Sequence, residues 1–185
     1  MHALAALDYE LVLRANLLVT SHSWLRTLTY VCAELLIFLY PLVLYLMWEL
    51  PEVGSRRPLR KAVMMSVMAS VIAFAIKSAI TVIWVRPRPF ISHPGLAYFN
   101  LGLDPPSFPS GHAMVSFAIA TSLLWSGYRK PGVFLLALAA VISAARVFAG
   151  VHYPSDVIGG ALIGIGVSSY LHREASTLKR YLPNT

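Results

Sequence analysis

The sequence predicts an all-α fold: a polytopic membrane bundle of about five transmembrane helices, with an additional N-terminal helix in the interface. Three observations predict it. Of 185 residues, 57% are hydrophobic and 12% charged, against roughly 25% charged in an ordinary soluble domain. Five apolar runs fall near the length needed to cross a hydrocarbon core, about 17–25 residues. The Lys and Arg residues gather at the borders of those runs, which is the pattern that orients membrane helices.

The elements follow in order. Residues 3–20 carry Leu4, Leu7, Leu11, Leu17 and Leu18 at roughly helical spacing, interrupted by Asp8, Glu10 and Arg14. That pattern fits an amphipathic helix lying in the interface better than a sixth span. No basic region precedes these apolar residues, so the N-terminus does not read as a cleavable signal peptide. The five spans are 28–48, 62–85, 111–128, 131–149 and 155–172. Trp24, Trp48, Trp84 and Trp125 fall near span ends, where indoles favour the headgroup region. The connections 49–61 and 129–130 and the tail after 172 are basic, which assigns them to the cytoplasm. The loop 86–110 and the turn 150–154 then share the other side. The Pro-rich loop also carries Phe90, Leu96, Tyr98, Phe99, Leu101 and Leu103, a mixture suited either to a tether or to a lid over a site. In the last span, Gly160 and Gly164 allow close helix packing. The chain reads as one membrane-embedded domain, 1–185.

The net charge of +7 does not indicate nucleic-acid binding. Nine of 15 Lys and Arg lie in three clusters beside apolar runs: Arg56, Arg57, Arg60 and Lys61; Arg129 and Lys130; Arg173, Lys179 and Arg180. The single cysteine, Cys32, excludes a disulfide framework and a Cys-based metal site.

On the non-cytoplasmic side the topology collects Arg86, Arg88, Ser110, Gly111, His112, Arg146, His152 and Asp156. Guanidinium groups hold phosphate oxygens through paired donors. Ser110 is a candidate N-cap, and Gly111 lets a ligand approach a helix N-terminus, which favours anions. Asp156 follows Pro154 in a first helical turn, placed to orient His152 and raise its nucleophilicity. His112 remains to donate a proton to a leaving group. Together these residues point to phosphate chemistry.

Arg88-Pro89, Pro109-Ser110-Gly111-His112 and Arg146-x5-His152-x3-Asp156 resemble the three-part signature of the type 2 phosphatidic acid phosphatase superfamily. The resemblance implies His152 as a nucleophile forming a phosphohistidine, Asp156 as its partner and His112 as general acid. It implies Arg88, Arg146, Ser110 and Gly111 as phosphate-binding residues, and no metal or other cofactor. Thr81 stands where the family often has a lysine. Lys77, one turn deeper, is its candidate replacement or a partner for Glu34. Arg86 is a further candidate phosphate ligand. Ala145 replaces a serine the family often has. The small size, the Arg86-Pro87-Arg88-Pro89-Phe90 run and the Ala33-Glu34 region are most similar to bacitracin-resistance-type undecaprenyl pyrophosphate phosphatases. A lipid phosphate would be the substrate, at the bacterial inner (cytoplasmic) membrane with the site facing the periplasm or cell exterior. The alternatives are a phosphatidylglycerophosphate or phosphatidic acid phosphatase and, outside enzymes, an anionic-lipid transporter or flippase.

Overall fold

The structure is a computed structural model and describes residues 2–49, 56–96 and 106–181. Its long helices are α1 His2–Thr20, α2 Ser23–Glu49, α3 Arg56–Ile83, α5 Gly111–Trp125, α6 Arg129–Phe148 and α7 Pro154–Tyr181. A single turn, α4 Pro89–Ser92, lies in the long connection. The described residues are helical apart from short links, as the composition predicts.

Helices α2, α3 and α6 are each long and apolar enough to cross a bilayer. Helix α5 is apolar but has 15 residues, about 22 Å of axis, short of a core of roughly 30 Å. It lies at the centre of the bundle, packed by α3, α6 and α7, with protein rather than lipid along most of its surface. Helix α7 packs along it through glycines. A Cβ on Gly160 would stand 2.7 Å from the Ser110 carbonyl oxygen, and one on Gly164 would collide with the Met114 backbone.

Helix ends differ from the apolar runs for physical reasons. Helix α3 begins at Arg56 rather than 62, and α7 runs to Tyr181 rather than 172. Basic residues are good helix formers, so charge marks where a helix leaves lipid rather than where it stops. Helix α3 ends at Ile83, ahead of Arg86-Pro87, because a residue before proline avoids helical geometry. Helix α5 stops at Trp125, short of 128, where Gly127 takes φ 88°. Helix α2 starts five residues earlier than the run at 28. It is not uniform: Val31–Leu35 is π-helical and Leu36–Phe38 is 3₁₀.

Helix α1 exists, but its leucines are not its packed face. Leu4, Leu7, Leu11, Leu17 and Leu18 are exposed, while Val12, Asn16 and Val19 are buried. The leucines are thus free to meet lipid, and the protein-facing stripe is the narrower Val12-Asn16-Val19 set. The Asn16 amide donates to the Phe148 carbonyl (3.3 Å), tying α1 to the end of α6. The centre of the long connection, 97–105, lies outside the described residues, and so do 50–55. The part before it rests on the protein: Leu96 is buried with Val12 and Tyr153, and Tyr9 stacks on His93.

Candidate active site

The C-terminal ends of α3 and α6 and the N-terminal ends of α5 and α7 meet at one end of the bundle. There a cavity of about 300 Å³ is lined by Lys77, Arg88, Gly111, His112, Arg146 and His152, with Ile37, Phe74 and Val115 as an apolar wall. Six of the nine sequence-predicted residues line it. Among the described residues, no carboxylate does.

The turn between α6 and α7 delivers His152. Helix α6 closes with Gly150 at φ 70°, and the Val151 amide returns to the Arg146 carbonyl (3.2 Å) and the Gly150 amide to that of Val147 (2.9 Å). This paired closure needs a left-handed residue, which glycine supplies without steric cost. The chain then turns back, Pro154 opens α7, and the Tyr153 amide donates to the Asp156 carboxylate (2.8 Å). An acidic residue reaching back to cap its own helix is half of a capping box. Helix geometry therefore fixes Asp156.

His152 is buried, and its Nδ1 lies 3.6 Å from Asp156 Oδ2. Ser107 stands beside both: its hydroxyl donates to Asp156 and lies 3.5 Å from His152 Nδ1. On the other edge of the ring, Arg88 Nη1 is 3.2 Å from Nε2 and also donates to the Val151 carbonyl (2.9 Å). A guanidinium only donates, so Nε2 accepts and the ring proton belongs on Nδ1, facing Asp156. Burial pushes this imidazole down to about 4, a shift that Asp156 opposes. Near neutral pH the ring is uncharged with its lone pair on the cavity side.

The remaining residues divide. Lys77 reaches over the N-terminus of α5: a Cβ on Gly111 would stand 3.3 Å from its Cδ. Glu34 pairs with Arg146, not with Lys77, and the π-helical turn presents the Ala33 carbonyl to the same guanidinium. Ser110 occupies the N-cap position of α5 but makes no capping bond. Ser110 does not line the cavity; its hydroxyl and Arg146 Nε are buried polar atoms with no hydrogen-bond partner. Arg86 does not line the cavity. It donates to Asp156 (2.7 Å), Ser155 (2.7 Å) and Asp8 (2.9 Å) and lies over the Tyr153 ring. Asp8 also accepts from the Ser155 amide (3.0 Å) and hydroxyl. Asp8, Ser107 and Ser155 carry no motif or spacing signal, and only the fold brings them here. Among the described residues, no group of three or more His, Cys, Asp or Glu side chains could hold a metal ion.

Residues 61–179, more than half of the chain, match the family model of the PAP2 superfamily. The chain belongs to the PAP2 superfamily. Undecaprenyl-diphosphatase BcrC of Bacillus subtilis (strain 168) is 27% identical over 95% of this PAP2 chain and 88% of its own length. The bacitracin transport permease protein BcrC of Bacillus licheniformis is 30% identical over 81% of the chain and 71% of its own. Among solved structures, a transmembrane PAP2-type phosphatidylglycerolphosphate phosphatase from Bacillus subtilis superposes with a TM-score of 0.67 at 21% identity, over 98% of this chain and 90% of that one. That likeness bears on the fold alone. As a PAP2 protein the chain is a multi-pass membrane protein of a lipid phosphatase family, as its motifs predict.

Proposed function

We propose that this protein removes the terminal phosphate of undecaprenyl pyrophosphate at the outward face of the bacterial inner membrane, through a phosphohistidine at His152. The observation that carries it is the cavity lining, in which every charged group among the described residues is cationic and the lone pair of a neutral histidine faces the same space. Lys77, Arg88 and Arg146 hold the terminal phosphoryl oxygens, with the Gly111 amide completing the cradle. Electrostatic positioning supplies most of the catalysis in phosphoryl transfer. As Arg88 turns to the phosphate it releases Nε2, which attacks phosphorus. The bond to the bridging oxygen breaks, and that oxygen leaves on undecaprenyl phosphate, with His112 supplying a proton where one is needed. Asp156 stabilises the charge on His152. Water then attacks the phosphohistidine, gives a proton to His112, and releases inorganic phosphate and the free imidazole.

The substrate assignment draws support from the B. subtilis relative. The permease name of the B. licheniformis relative favours a second reading, in which the same cations bind a lipid phosphate for transport without chemistry. One comparison separates these readings: phosphate release by detergent-purified protein from undecaprenyl pyrophosphate, phosphatidylglycerophosphate and phosphatidic acid. The highest kcat/KM is expected on undecaprenyl pyrophosphate. A higher value on either other lipid would move the substrate, and release from none of the three would favour transport.

A further inference from the structure

At the opposite end of the bundle lies a second cavity, about 620 Å³ against about 300 Å³ for the candidate active site. It is formed where α3 begins and where α5 and α7 run toward their C-terminal ends. Lys61 of α3 and His172 and Arg173 of α7 line it, and among the described residues no acidic one does. Met65 and Trp125 give it an apolar side. The walls are ordered from within: the Trp125 indole donates to Ser169 (3.2 Å), and His172 Nε2 lies 3.1 Å from the Ser122 hydroxyl.

Cations that only orient a membrane protein can lie anywhere along its border. Here cations from two helices converge on one concave space with an indole and a thioether beside them. The volume lies in the range of small-molecule sites, about 300–1,000 Å³. Basic pockets between transmembrane helices suit phospholipid head groups, whose phosphate meets the charge while glycerol and upper acyl carbons meet the apolar side. We infer that this cavity binds the phosphate group of an anionic phospholipid. The bound head group neutralises Lys61 and Arg173 together and ties α3 to α7 at the end remote from catalysis. This site is independent of the activity proposed above. Free inorganic phosphate shares the anionic chemistry but leaves the apolar side without a role.

The test offers the purified full-length chain equimolar phosphatidylglycerol and phosphatidylcholine in mixed micelles and quantifies retained lipid by mass spectrometry. The wild type should retain phosphatidylglycerol preferentially. Lys61→Gln with Arg173→Gln should cut that preference by about tenfold or more, because each cation near an anionic head group contributes roughly fivefold. Arg129→Gln with Lys130→Gln removes equal charge from the same end outside the cavity and should change little. The charge-conserving pair Lys61→Arg and Arg173→Lys should keep the preference, which guards against misreading a folding defect. Equal retention of both lipids by the wild type would overturn the inference. So would equal losses in the two charge-removing variants, which would assign the preference to surface charge. Inorganic phosphate bound through Lys61 and Arg173, without preference for phosphatidylglycerol, would replace the lipid by a free anion.

Discussion

Asp156 is fully buried and held from three directions, by the Tyr153 amide, the Ser107 hydroxyl and the Arg86 guanidinium. A buried carboxylate with its acceptor sites filled stays ionised and has little freedom to rotate. It is thereby held 3.6 Å from Nδ1 of His152, while Arg88 contacts Nε2 on the opposite edge of the same ring. Lys77 is the residue through which this chain departs from the motif spacing seen elsewhere. Its place beside Gly111 predicts that Lys77→Met lowers kcat/KM by about one to two orders of magnitude, the scale of losing a charged hydrogen bond, roughly 1.5–3 kcal/mol. Phosphate-release kinetics on a variant with unchanged thermal unfolding would check it, and unaltered turnover would place Lys77 outside the phosphate site. At this scale the motif residues were legible in the sequence because their spacing carries chemistry. Arg86 was not, since two arginines flanking one proline look alike until the backbone aims one at the cavity and the other at Asp8. Ser107 was hidden for a related reason: nothing distinguishes a serine after two prolines from any other loop hydroxyl.

The same division between legible and hidden holds for the helices. Apolar runs marked the helices of the bundle, three of them long and apolar enough to cross a bilayer, but their ends followed helix propensity, proline and left-handed glycine rather than the limits of hydrophobicity. The Gly160–Gly164 stripe was legible as a close-packing face, and the backbone of α5 now lies against it. Gly164→Val should therefore destabilise the bundle by about 1–3 kcal/mol or more, read as a lower unfolding midpoint in detergent. Gly166→Ala on the same helix has nothing within 4 Å of the added carbon, so it should be neutral or mildly stabilising. Helix α1 was legible as a helix, though not as part of the catalytic end. The Asp8 side chain, 12% exposed, joins Arg86 to Ser155 and so braces the first turn of α7. Asp8→Ala should lower kcat by about tenfold to a hundredfold, as expected when a charged hydrogen-bond partner is lost, with KM nearly unchanged. A rise in KM at constant kcat would instead place Asp8 in substrate binding.

Taken whole, the molecule carries a cavity with cationic lining at each end of the bundle. Residues from position 77 to 156 converge because α3 and α6 run toward the catalytic end and α5 and α7 start from it. That alternation joins Arg88 and Ser107 to His152 and Asp156, while Asp8 of α1 and Glu34 of α2 add their partners from outside these four helices. The short central helix brings an N-terminus with unpaired amides into a space already lined by cations, and such a site favours an anion whatever lipid carries it. The basic border lies at the far end, where the sequence alone assigns it an orienting role. The central claim is that phosphoryl transfer passes through His152. The most direct measurement is a single-turnover reaction with undecaprenyl pyrophosphate carrying ³²P in its terminal phosphate, quenched in alkali and resolved from free lipid. The expected result is transient, protein-bound label that survives alkali, is lost in acid and maps to His152, with no label and no phosphate release from His152→Ala. Phosphate released by His152→Ala at the wild-type rate, or wild-type turnover with no protein-bound label at any time, would contradict it.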